Sequence, residues 1–174
     1  METQMIDRRR ATRLVATAAL PATWLLRSSP AHAQQSFQRF LPMLVDLQGW
    51  KGNKPDGVSM EMPGNSMVAA TREYERGDAR LNAQIIIGAA AQGALATIAA
   101  GMKVETNDAR MSTSTIDGLQ VATTFTKSDK SGAILVALGA SALFTLSFNG
   151  VAEEEALTLA KKFNWKAIQA AIAK

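Results

Sequence analysis

The sequence predicts an α+β domain over residues 34–174: a twisted antiparallel sheet of about seven strands flanked by helices. Three observations carry this. Short segments alternate apolar and polar side chains with the period of two that a half-buried strand requires. Most neighbouring segments are separated by Gly, Asp, Asn or Pro at turn spacing. Other segments carry apolar residues three and four apart, the spacing of one helix face. The order reads helix, three strands, helix, four strands, helix, with no internal repeat and no linker dividing the chain.

Ser36 to Leu47 places Phe37, Phe40, Leu41, Leu44, Val45 and Leu47 at helical spacing, and Pro42 limits the length of that helix. Gln48 to Gly57 is a loop containing Pro55-Asp56-Gly57. In the first strand Val58, Met60 and Met62 share a face, which is expected to be the core face. Pro63-Gly64-Asn65 turns the chain into Met67–Glu75, with Val68, Ala70, Arg72 and Tyr74 on one side. Arg76-Gly77-Asp78 leads into Arg80–Ile87, where Leu81, Ala83, Ile85 and Ile87 line up. Ala89–Met102 is an Ala-rich helix weakened at Gly93 and ended near Gly101. Met111–Ile116, the hairpin signal Asp117-Gly118, and Leu119–Phe125 follow. Ile134, Val136 and Leu138 mark another strand, and Phe144, Leu146 and Phe148 the last. Glu153, Glu154 and Glu155 suit the positive end of a helix dipole. Asn164 is placed to cap a final helix carrying Trp165, Ile168 and Ile172.

Residues 1–33 read as a cleavable export signal. Arg8, Arg9, Arg10 and Arg13 precede an apolar stretch from Leu14 to Leu26, and Ala31-His32-Ala33 has the small-x-small form of a cleavage site. Pro21 interrupts the apolar stretch, which is short of a membrane span. Arg9-Arg10 resembles a twin-arginine signal, although Ala11-Thr12 stand where that pattern wants an aromatic residue or Leu, so both the Tat and the Sec route stay open. The expected location is the periplasm or the medium.

The leader holds five arginines and two acids, so it carries +3 of the chain's +4 and leaves about +1 on residues 34–174. A basic nucleic-acid footprint is therefore not expected. The only histidine, His32, falls in the cleavage site, and the chain has no cysteine. The processed domain then lacks imidazole and thiol, which excludes Ser-His-Asp and Cys-His nucleophiles and the usual Cys/His zinc sites. No cofactor and no enzymatic activity are expected.

Three candidate sites remain. Trp50, Lys51 and Lys54, with Tyr74, would form an aromatic and basic lip of a ligand pocket; the plainer reading folds Trp50 over the edge of the core. Met60, Met62 and Met67 would offer thioethers to Cu(I), against a reading as core packing. Glu73 and Glu75, with Glu61 and Asp78 nearby, would place carboxylates together for acid–base work, against a reading as a solvated sheet surface. Leu81–Met102 and Ser131–Gly150 contain no charge and are each nearly long enough for a membrane-embedded helical hairpin. Their strand periodicity, their Asn, Gln and Gly content and the break at Gly139-Ala140-Ser141 favour the sheet, with no stable membrane insertion after cleavage.

Gly49-Trp50, a strand ending at Pro63, a middle helix, and Asp117-Gly118 leading into a strand and later a C-terminal helix resemble the Mog1/PsbP-like fold group in layout. That resemblance implies a binding or assembly-factor domain and assigns no site residue. The chain also resembles small exported bacterial proteins of unassigned function. The expected role is a soluble periplasmic binding or accessory domain, acting through a sheet face or a helix–sheet groove on a protein partner or a small apolar ligand.

Overall fold

The computed structural model describes residues 37–63 and 65–173; the predicted export signal lies outside them. The described residues open with a 3-10 helix, Gln38–Met43, rather than the longer helix expected. Pro42 sits inside it and can donate no backbone hydrogen bond, so the pairing stays local: Phe40 N donates to Phe37 O at 2.9 Å and Leu44 N to Leu41 O at 3.2 Å. The expected apolar face is real, since Phe40, Leu44 and Leu47 are all buried.

Among the described residues nine strands follow, where about seven were expected. They are β1 (Lys51–Gly52), β2 (Asp56–Met62), β3 (Asn65–Arg76), β4 (Ala79–Gly88), β5 (Val104–Glu105), β6 (Ala109–Ile116), β7 (Leu119–Thr126), β8 (Ser131–Gly139) and β9 (Ala142–Asn149). The seven long strands are those read from the alternation; β1 and β5 are dipeptides, too short to show a period of two. The described residues also form three α-helices: α1 (Ala89–Ala99), α2 (Glu153–Ala160) and α3 (Trp165–Ile172). The mostly antiparallel sheet with a few helices is an α+β architecture.

The sheet runs β1-β3-β4-β9-β8-β7-β6-β5, with β2 also paired to β3. All its pairs are antiparallel, and it is open. Two meanders, β2–β3–β4 and β6–β7–β8–β9, are joined at β4 and β9, where Leu81 faces Phe148 and Ile85 faces Phe144. Helix α1 carries the chain from β4 towards the far edge of the sheet. The two uncharged runs therefore do not form a helical hairpin: both are built into strands, with α1 in the first, and no described helix is long and apolar enough to cross a membrane.

One face holds the main core. Tyr74, Leu81, Ile85, Val121, Ile134, Val136, Phe144 and Leu146 pack against the 3-10 segment, α2 and α3. Phe163 lies 5.0 Å from Phe144 and 6.2 Å from Tyr74 by ring centroids, in tilted and edge geometries that suit the aromatic quadrupole. Asn164 caps α3 as expected, its Oδ1 accepting from Ala167 N at 3.0 Å. The other face carries a smaller cluster, Ala91 and Ile98 of α1 against Ala122 and Leu143. Gly88 links β4 to α1 at φ 105, and a Cβ there would meet the Ser66 carbonyl, so only glycine fits this corner.

Candidate functional site

The register settles which residues share the face on which α1 lies. Val58 pairs with Ala69 and Met60 with Met67; Ala69 in turn faces Ile86, and Ile86 faces Leu143 beneath α1. Val58 and Met60 therefore point away from the main core. They are 45% and 44% exposed, which corrects the expectation that the alternating residues of β2 line the core. Alternation shows that two residues share a face, and only pairing with β3 shows which face it is. Met62 ends β2 with its backbone opposite Asn65.

At the opposite flank, Val104 pairs with Met111, and Met111 with Thr124, again on the α1 side. Val104 is 48% exposed, and Met102, whose carbonyl accepts from Thr113 Oγ1, is 45% exposed. Val58, Met60, Met102 and Val104, the exposed large apolar side chains among the described residues, thus share one side of the sheet. Between them stands α1, which touches β3, β4, β7, β8 and β9 and has no charged residue. Its outward positions, including Ala90, Gln92, Gly93, Ala96 and Thr97, are small or neutral. The result is an uncharged ridge with an exposed apolar strand flank on each side. Charge lies on this face at Asp56, the first residue of β2, and at the far ends of β3 and β4, where Glu73 stands and Glu75 pairs with Arg80.

The predicted pocket lip is not assembled. Trp50 and Tyr74 are 8% and 1% exposed and belong to the main core. The Trp50 ring lies under the Arg76 guanidinium at 4.3 Å, and its Nε1 has no hydrogen-bond partner among the described residues. The Tyr74 hydroxyl donates to Val45 O at 2.7 Å, and burial pushes its pKa up to about 12, with the neighbouring Arg72 cation opposing the shift. Lys51 and Lys54 are exposed. Lys51 lines a cleft of about 220 Å³ with Gly52, Asn53, Glu73 and Glu75.

Arg72 is the residue whose role the sequence hid. It occupies a core-facing position on β3, and its side chain is only 11% exposed because the guanidinium reaches back to the segments on both sides of β1. Nε donates to Asn53 O at 2.8 Å, Nη1 to Leu44 O at 2.7 Å, and Nη2 pairs with Asp46. Asn53 completes this clamp, its Oδ1 accepting from Glu73 N at 3.0 Å. Arg72 and Tyr74 together fasten residues 44–53 to the sheet.

Glu73 and Glu75 share the α1-side face, as expected. They line a second cleft of about 330 Å³ that also takes in Arg80, Asn82, Ser147 and Asn149. Glu75 is engaged by Arg80. Among the described residues no three acidic or metal-ligating His or Cys side chains gather as a metal site. Comparison with known proteins returns no match: no family model fits the chain, and no curated protein or solved structure is significantly similar to it.

Proposed function

We propose that the chain is an exported, non-catalytic binding domain that docks a protein partner on the α1 side of its sheet. The observation that supports this is the gathering of Val58, Met60, Met102 and Val104 on one side, around a helix without charge. Soluble chains scatter exposed apolar side chains singly, and grouping them on one face is the pattern of an interaction surface. A protein partner fits better than a small apolar ligand. The surface is a ridge with open flanks, whereas a small ligand needs an enclosing concavity. The cleft that takes in Glu73, Glu75 and Arg80 is more open than enclosed.

The test is photo-crosslinking in the source cells from a reactive side chain placed at Met60 or at Ala96, with Thr158 on the outer surface of α2 as the control. One discrete adduct shared by the first two positions and absent at Thr158 is expected. Equal adducts from all three positions, or none, removes the reading. Export is tested separately: the intact mass of the natural product should begin at residue 34.

A second reading has one observation in its favour. Met60 and Met67 are direct cross-strand partners on the open face, so their thioethers are offered together outside the main core. Cu(I) accepts such ligands. A Cu(I) titration showing no binding tighter than about micromolar removes this reading.

A further inference from the structure

Among the described residues β2 forms an open edge of the sheet. Asp56–Met62 pairs with β3 on one side, and no other described strand pairs with it. Such an edge carries N–H and C=O groups that another strand can take up. Folded chains usually guard it with lysine, proline, a bulge or extreme shortness. At the opposite edge β5 is a dipeptide, and Met102 lies beside the rest of β6, its carbonyl accepting from Thr113 Oγ1. β2 has no such guard. It runs seven residues without lysine, Pro55 and Pro63 fall just outside it, and its pairing with β3 has no register shift.

The strand is also complementary to itself. A twofold axis perpendicular to the sheet sets two copies of an edge strand side by side, antiparallel and with the same faces up. Centred on the midpoint of β2, this axis pairs all seven residues. Val58 of each copy then stands opposite Met60 of the other, Gly57 opposite Glu61, and Asp56 opposite residue 62. Side chains alternate between faces, so the neighbouring matched registers are two residues away. Those leave two residues of each strand unpaired and separate Val58 from Met60.

This register accounts for what is unusual about β2 in a single copy. Val58 and Met60, 45% and 44% exposed, become cross-strand apolar partners twice over. No carboxylate stands opposite another. Glu61 comes opposite Gly57, on the side where Phe37 lies against Gly57 and the 3-10 helix Gln38–Met43 touches β2. That helix carries Arg39, which stacks on Phe40 at 4.8 Å. Neither Arg39 nor Glu61 has an ion-pair partner among the described residues, so each copy brings an unpaired anion to the flank of the other that holds an unpaired cation.

We propose that β2 pairs with β2 of a second copy of this chain, giving a twofold dimer with one continuous sheet. Each copy offers the same strand, so the contact closes at two copies. Both α1 helices then lie on one side of the joined sheet, and, on the docking reading above, the docking surface is present twice. Seven residues a side is well below the roughly 20–30 of a standard interface, so the dimer is transient, with a dissociation constant of about 10–100 µM.

Sedimentation velocity of the purified full-length chain from about 1 to about 500 µM is the experiment, and a reversible monomer–dimer equilibrium is expected in that range. Val58→Lys places a lysine on the edge and should weaken dimerisation at least about tenfold. It should leave the melting temperature of the dilute protein unchanged, since Val58 lies outside the main core. Disulfide trapping reads the register, because the chain has no cysteine of its own. A mixture of the Val58→Cys and Met60→Cys variants should form a linked heterodimer at least about tenfold faster than either variant alone forms a homodimer. A chain that stays monomeric up to about 500 µM leaves the edge to a strand of another protein and overturns the proposal. So does a dimer undiminished in Val58→Lys, or homodimers trapped as fast as the heterodimer. These readouts use the purified chain alone, so their failure is distinct from failure of the docking reading, which is read in cells.

Discussion

Replacing Arg72 with Met tests the assembly of the domain most directly. The substitution keeps an unbranched apolar stem of similar reach and removes the guanidinium, so no buried charge is stranded. What it does strand are acceptors. The bond from Nη1 to Leu44 O, at 2.7 Å, is half-buried and comes from a charged donor, which places it at about 1.5–3 kcal/mol. The bond from Nε to Asn53 O, at 2.8 Å, is more exposed and adds about 1 kcal/mol. The pairing with Asp46 adds little, because that carboxylate is 90% exposed and water screens it. The expected loss is about 2.5–4 kcal/mol, or about 10 °C of melting temperature for a domain of this size. Urea unfolding followed by tryptophan fluorescence measures it, with Asp46→Asn as the companion variant at under about 1 kcal/mol. Arg72→Met costing less than about 1 kcal/mol would refute the clamp. If Asp46→Asn cost as much as Arg72→Met, the ion pair and not carbonyl capture would be holding the loop.

Tyr74 is the only tyrosine in the chain, so tyrosinate absorbance reports it alone; its midpoint should fall near pH 12, and a midpoint near 10 would contradict its burial. Because its folded pKa lies above the unfolded value of 10, its contribution is complete below pH 10 and is lost as pH rises towards 12. It amounts to about 2–3 kcal/mol, and Tyr74→Phe should remove this alkaline slope from the urea midpoint. Gly132 sits between Phe125 and Phe148, whose rings stack at 6.2 Å, and a Cβ there would run into the Thr124 carbonyl. Gly132→Ala should therefore cost about 2–3 kcal/mol of overpacking, and a neutral result in thermal unfolding would show that the strand can shift. Asn164→Ala should cost about 1 kcal/mol through the lost cap of α3, read in the same assay. Met60→Glu should leave the melting temperature within about 1 °C, since its side chain lies outside the main core, and should abolish the crosslink from Ala96.

Much of the local structure was legible in the amino-acid order. The seven long strands, the Asp117-Gly118 hairpin with φ of 52° and 83°, the Asn164 cap and the acidic start of α2 all follow from interactions within a few residues of one another. The candidate sites were far less legible. Tyr74 and Trp50 looked like a polar-tipped lip. Burial of Tyr74 is made possible by the carbonyl of Val45, 29 residues away. Arg72 interrupts an otherwise apolar face, and its acceptors lie 19 and 28 residues earlier, beyond any periodic signal. Methionine alternation in β2 was visible, but its direction was not. The cleft at the junction of α2 and α3 brings Asp117 beside Lys161–Lys166, and no spacing rule links a hairpin turn to a helix junction more than forty residues later.

By itself the sequence determined the period of each segment, the turns that separate them, and a chemistry without cysteine and with a single histidine at position 32, because these depend on residue type and near neighbours. The tertiary structure alone decided that β4 joins β9, that Val58 and Met60 face outward with α1, and that Arg72 reaches the carbonyls of Leu44 and Asn53. Those outcomes depend on strand register and on contacts between distant segments. A shift of one residue in pairing would have turned the same alternating strand to the opposite side of the sheet.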